Sequence, residues 1–199
     1  RNNTHAFIYH NGVMRDLGTL GGSFSSASAI NESGQVVGYS ETAGGHYHAF
    51  LYSGGRMTDL GTLGHVHAEH GGGHNHGGDH SIAWGINDQG HVVGVSNDRP
   101  FLYRDGVMRD LGTLPGLSEC SAFSINNSGY VVGSCSNHGD PSARAFLYKD
   151  GVMLDLNDLI PANSGWLLSV ARSINERGQI AGWGHIDGKQ HGFLLTPAR

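Results

Sequence analysis

The residue types best suited to coordination chemistry are crowded into one stretch. His65, His67, His70, His74, His76 and His80 lie among glycines, together with Glu69 and Asp79. Neutral imidazoles ligate Zn²⁺, Ni²⁺ or Cu²⁺, and glycine-rich backbone lets ligands converge without helical spacing. These six histidines are the candidate metal ligands, with zinc, nickel or copper as the candidate ion. The competing reading is a solvent-facing loop that picks up such ions adventitiously. His67-Ala68-Glu69-His70 is not a zinc-peptidase HExxH, since its histidines stand three rather than four positions apart.

Cysteine, aspartate and tryptophan supply the other candidates. Cys120 and Cys135 flank a short hairpin, and folding it around Asn127 and Ser128 sets them opposite or nearly opposite, as a disulfide requires. Two reduced, buried thiols are the alternative. Asp16, Asp59, Asp110 and Asp155 recur at one position, where a carboxylate at a strand end accepts backbone hydrogen bonds more readily than it builds a shared cation site. Of Trp84, Trp166 and Trp183, the first and last read as packing variants. Trp166 lies in a divergent stretch and is the candidate stacking surface for a ligand. No phosphate loop, nucleophile elbow or dinucleotide fingerprint is present, so the sequence identifies no catalytic residue.

What must position these groups is a repeat. A first element ends in Ile-Asn at Ile30-Asn31, Ile86-Asn87, Ile125-Asn126 and Ile174-Asn175. A second follows as Val36-Val37-Gly38, Val92-Val93-Gly94, Val131-Val132-Gly133 and Ile180-Ala181-Gly182. The third is aromatic and aliphatic, as in His48-Ala49-Phe50-Leu51-Tyr52, and the fourth runs Met-x-Asp-Leu, as in Met57-Thr58-Asp59-Leu60. Asparagine and glycine between the first two elements favour a tight hairpin. Third-element residues are apolar on both faces, which predicts sheets packed on either side.

The Ile-Asn pairs are 56, 39 and 49 residues apart, which fits one four-stranded unit per period. The chain is thus expected to be all-β: a single repeat domain over 1–199, forming a small four-bladed β-propeller, with residues 64–81 as a histidine-rich insertion. The C-terminal copy lacks a fourth element and the N-terminus starts on a third. Circular closure, with Val13–Leu17 completing the last blade, is the economical expectation; a piece of a longer array is the alternative.

The patterns HAFLYxxGxMxDLGTLGG, closest at His48–Gly64, and AxxINxxGxVVGxS resemble the HAF family of extracellular repeats. The resemblance covers most of the chain and implies a bacterial secreted or cell-surface protein of repetitive β architecture; it transfers no catalytic residue. Pro100, where other copies carry alanine, and Asn157-Asp158, where others carry Gly-Thr, depart from the pattern.

Composition agrees with many short strands and tight turns: 33 glycines, 38% hydrophobic residues and only 15% charged ones. A net charge of −5, with no basic run, argues against nucleic acid, and no apolar stretch is long enough to span a bilayer as a helix. The leading expectation is a secreted or surface module that is structural or binds a macromolecule, its partner an extracellular protein, a second copy or a glycan. The alternatives are an extracellular transition-metal-binding protein and a carbohydrate-active enzyme or lectin.

Overall fold

The structure is a computed structural model in which residues 3–64, 79–138 and 142–198 are described. Its building step is the Ile-Asn hairpin. In the first copy the Asn31 Oδ1 accepts the Gln35 N–H at 2.9 Å, while Gly34, at φ +72°, supplies the left-handed residue that closes the turn.

Among the described residues five antiparallel sheets result. The first is a hairpin, β1 (Phe7–His10) and β2 (Val13–Asp16). The second orders β3 (Gly21–Ile30), β4 (Val36–Thr42), β5 (Tyr47–Ser53) and β6 (Arg56–Asp59). The third repeats this with β7 (Ser81–Ile86), β8 (Val92–Ser96), β9 (Arg99–Arg104) and β10 (Val107–Asp110). The fourth uses β11 (Glu119–Ile125), β12 (Val131–Ser136), β13 (Arg144–Lys149) and β14 (Val152–Asp155), and a 3-10 turn at Leu156–Leu159 follows it. The fifth has three strands, β15 (Trp166–Ile174), β16 (Ile180–Ile186) and β17 (Lys189–Leu195).

Strand alternation decides how the sheets stack. Val36 points back to a core with Ala6 and Leu17 of the first hairpin, whereas Val37 points forward to Ala83 and Val92 of the third sheet. Val92 and Val93 divide in the same way, as do Val131 and Val132. Four hydrophobic cores therefore lie between five successive sheets. Phe50, Phe101 and Phe146, all fully buried, anchor one core each.

Asparagine side chains tie the stack together along one edge. The Nδ2 of Asn31 donates to the Asn87 carbonyl at 3.0 Å, Asn87 to Asn126 at 3.1 Å, and Asn126 to Asn175 at 3.1 Å. Buried serines tie it along another. Ser81 accepts the Ala49 N–H and donates to the Gly61 carbonyl, both in the preceding unit; Ser25 does the same for Ala6 and Gly18.

The expected four-bladed propeller is overturned. The all-β repeat units are present, but among the described residues no sheet is closed or curled. β2 pairs with β1 and does not complete the last sheet, which stays three-stranded among the described residues. The physical reason lies in the N-terminal segment. Ala6 and Leu17 pack on Val36, Phe50 and Tyr52, and Thr4 bridges to Phe24, so this hairpin is committed to the second sheet and unable to reach the fifth.

Candidate functional site

The site grows from one glycine per unit. In the second strand of each sheet a Cβ on Gly38, Gly94, Gly133 or Gly182 would stand about 2 Å from a carbonyl oxygen of the first strand, that of Ser26, Ile82, Ser121 or Val170. Only glycine permits this approach. The crowded first strand then carries a β-bulge, at Ala27/Ala29, Ala83/Gly85, Ala122/Ser124 and Ala171/Ser173. The extra residue in each case is Ser28, Trp84, Phe123 or Arg172. A bulge re-aims its side chain out of the alternating pattern, and here all four line one open cleft of about 450 Å³ with Tyr39 and Ser124.

The cleft has binding chemistry. The Arg172 guanidinium lies 4.7 Å from the centre of the Phe123 ring, an attractive cation–ring contact. Trp84 and Phe123 are half-buried and Arg172 is exposed, so ring surface and cation both face solvent. Beside the cleft, Phe24, Tyr39 and Tyr47 form an aromatic trio with centroids 5.6–5.8 Å apart. Hydroxyls of Ser26, Ser28 and Ser124 complete the lining, which includes no carboxylate, imidazole or thiol.

These residues were missed or misjudged from sequence. Trp84 reads there as packing, and Phe123 and Arg172 attract no notice. The available signal was a single variable position, the x after alanine in Ala-x-x-Ile-Asn, inside an otherwise constant motif.

Other expectations fall elsewhere. Cys120 and Cys135 are directly paired across β11 and β12 and form the disulfide. Trp166 is half-buried, 6.3 Å edge-on from the His191 ring, and lines a separate hollow with Pro161 and Phe193. The repeated aspartates are turn residues: Asp16, Asp59 and Asp110 accept the N–H two positions on at 2.7 Å, and Asp155 does so at 2.8 Å. Each also meets the first basic side chain of its neighbouring third element, His5, His48, Arg99 or Arg144. The Gly18 N–H, then His5, hold the Asp16 carboxyl below its usual range.

The metal-binding expectation gains no support. His65, His67, His70, His74 and His76 lie outside the described residues. His80 is described, and its N–H and carbonyl are used by Asn97 and Ser96 at the mouth of β7. Among the described residues no three His, Cys, Asp or Glu side chains are grouped to hold a metal ion.

No helix among the described residues is long and apolar enough to cross a membrane. A comparison with curated proteins finds no match. Residues 66–194, which hold three of the four Ile-Asn hairpins, match the model of a family described as "Protein of unknown function (DUF3466)", and with well over half of its length so matched the chain belongs to that family.

Proposed function

We propose that the chain is a secreted or cell-surface binding module that presents the bulge-lined cleft to a macromolecular partner, an extracellular polypeptide or glycan. The observation that carries this reading is the convergence of Trp84, Phe123 and Arg172, one variable residue from each of three successive units, on one exposed surface of a constant scaffold. Repeat folds use such surfaces for recognition, because a stitched frame holds variable side chains in place. The disulfide supports an oxidising compartment, and the resemblance to HAF extracellular repeats supports a bacterial surface or secreted setting.

The test pairs location with binding. Antibody detection in the native source should find the chain outside the cytoplasm, its cysteines resistant to alkylation until reduced. Extracellular material passed over the immobilised chain should leave a component that Trp84→Ala/Arg172→Glu no longer retains, with the variant's melting temperature unchanged. A cytoplasmic chain with free thiols, or equal retention by both proteins, would sink the proposal.

A further inference from the structure

Three sheets carry a strand that the fifth does not have among the described residues. In each four-stranded sheet the last strand places a methionine at the core shared with the preceding unit, where that unit's leucine also packs: Met57 and Leu20, Met108 and Leu63, Met153 and Leu114. The corresponding leucine before the fifth sheet is Leu159. It is 54% exposed, whereas Leu114 is 3% exposed. Beside Leu159 there is a hollow of about 460 Å³, lined by Leu156, Ile160, Pro161 and Leu195 and, from the segment after β17, by Pro197. Phe193, the counterpart of the fully buried Phe50, Phe101 and Phe146, is only half-buried.

The polar half of the same place is also prepared. His191 occupies the position of His48 and Arg144, which meet Asp59 and Asp155 of the adjoining strand. The backbone register agrees. Leu60 N–H donates to the Ala49 carbonyl at 2.9 Å, and hydrogen-bonded pairs alternate along an antiparallel ladder, so Leu51 exchanges the next bonds with Thr58. The counterpart of Leu51 in β17 is Leu194, whose N–H and carbonyl thus point out of the free edge.

A fourth strand does not reach this edge through the usual turn. Asn11-Gly12, Gly54-Gly55, Asp105-Gly106 and Asp150-Gly151 all have positive φ at both positions. The counterpart after β17 is Pro197-Ala198, and the proline ring fixes φ near about −65°.

We infer that the β17 edge is a docking site for an extended polypeptide segment of the Met-x-Asp-Leu type. The segment pairs antiparallel to β17, sets its methionine into the hollow over Leu159, and places its aspartate against His191. This is strand addition, with side-chain pockets supplying selectivity. The site is separate from the bulge-lined cleft, so either can fail alone.

The probe is a fluorescein-labelled peptide with the sequence of residues 150–157, added to the whole chain and followed by anisotropy and by amide exchange. One-to-one binding is expected, with new protection of the Leu194 amide. In the peptide, Met153→Ser and Asp155→Asn should each weaken binding about tenfold. In the protein, His191→Arg, which restores the pairing used by Arg99 and Arg144, should keep binding and His191→Glu should lose it; circular dichroism checks that both variants fold. Three outcomes overturn the inference: no binding at millimolar peptide, binding indifferent to the methionine and aspartate, or binding that leaves Leu194 unprotected. A concentration-dependent dimer in sedimentation, abolished by His191→Glu and accompanied by no peptide binding, also overturns it by giving the edge to a second copy.

Discussion

Single side chains in this protein mostly close turns or join units, and their chemistry follows from that. Asp110 illustrates the first role. Its Oδ1 accepts the Gly112 N–H while Oδ2 meets Arg99, both partners being about one-third exposed. An ion pair so exposed contributes little, about 0–1 kcal/mol, so the turn bond is the larger part. Asp110→Ala should cost about 1 kcal/mol in urea unfolding, by analogy with loss of a capping carboxylate. Asp110→Asn should cost less, and added divalent ions should rescue neither. His91 shows a second behaviour. Burial, then the nearby Arg104, hold its imidazole below the ordinary value of 6.5. Below that value the unfolded chain binds more protons than the folded one, so stability present above it falls as pH drops through the lowered folded-state value. His91→Gln should therefore lose less melting temperature than the parent between about pH 7.5 and about pH 5.5. An equal loss in both would show that other groups carry the dependence.

At the scale of the element, Pro100 and the disulfide explain one another. Ser25 and Ser81 accept the N–H groups of Ala6 and Ala49. The equivalent of these serines is Cys120, and the equivalent donor is Pro100, which has no N–H. A cysteine is tolerated there because no buried donor is left unserved. Pro100→Ala should cost about 1–3 kcal/mol by stranding an amide beside the disulfide. In a Cys120→Ser/Cys135→Ser background that penalty should shrink, because a hydroxyl in place of the Cys120 sulfur would accept the bond; additive changes in the double-mutant cycle would refute the coupling. The bulges make a second element-scale prediction. Gly94→Ala puts a methyl group 1.9 Å from the Ile82 carbonyl oxygen. The β7–β8 pair should then shift register, with a fall in stability and an altered Trp84 emission spectrum, while an unchanged spectrum would argue that the bulge does not depend on the glycine.

Among the described residues the sheets form a stack in which a central sheet has two neighbours and the first and fifth have one each. Stability in such arrays is a sum over units and their contacts. Exchange of backbone amides should therefore begin in β1–β2 and β15–β17 and reach β7–β14 last. The outer faces agree with this ordering: Tyr9 and Met14 at one end, and Leu194 at the other, are each 64–66% exposed. Simultaneous exchange throughout would indicate a single cooperative unit and contradict the additive picture.

Local chemistry made much of this protein legible from its residues alone. Asparagine and glycine announce the hairpins, period-two alternation announces sheets apolar on both faces, and a cysteine pair spanning a known hairpin falls into register. Those signals are short-range, so they survive in a linear string. Closure, by contrast, depends on where the N-terminal hairpin finds more apolar surface, and packing on Val36 and Phe50 gave an answer that strand counting could not. The cleft was hidden for a related reason. Ser28, Trp84, Phe123 and Arg172 are separated by 39 to 56 residues, and only a bulge, set by a glycine on the neighbouring strand, turns each of them toward the same space. Density of one residue type drew attention to the histidines, whereas tertiary structure gathered a site from four residues of different type at one repeated position.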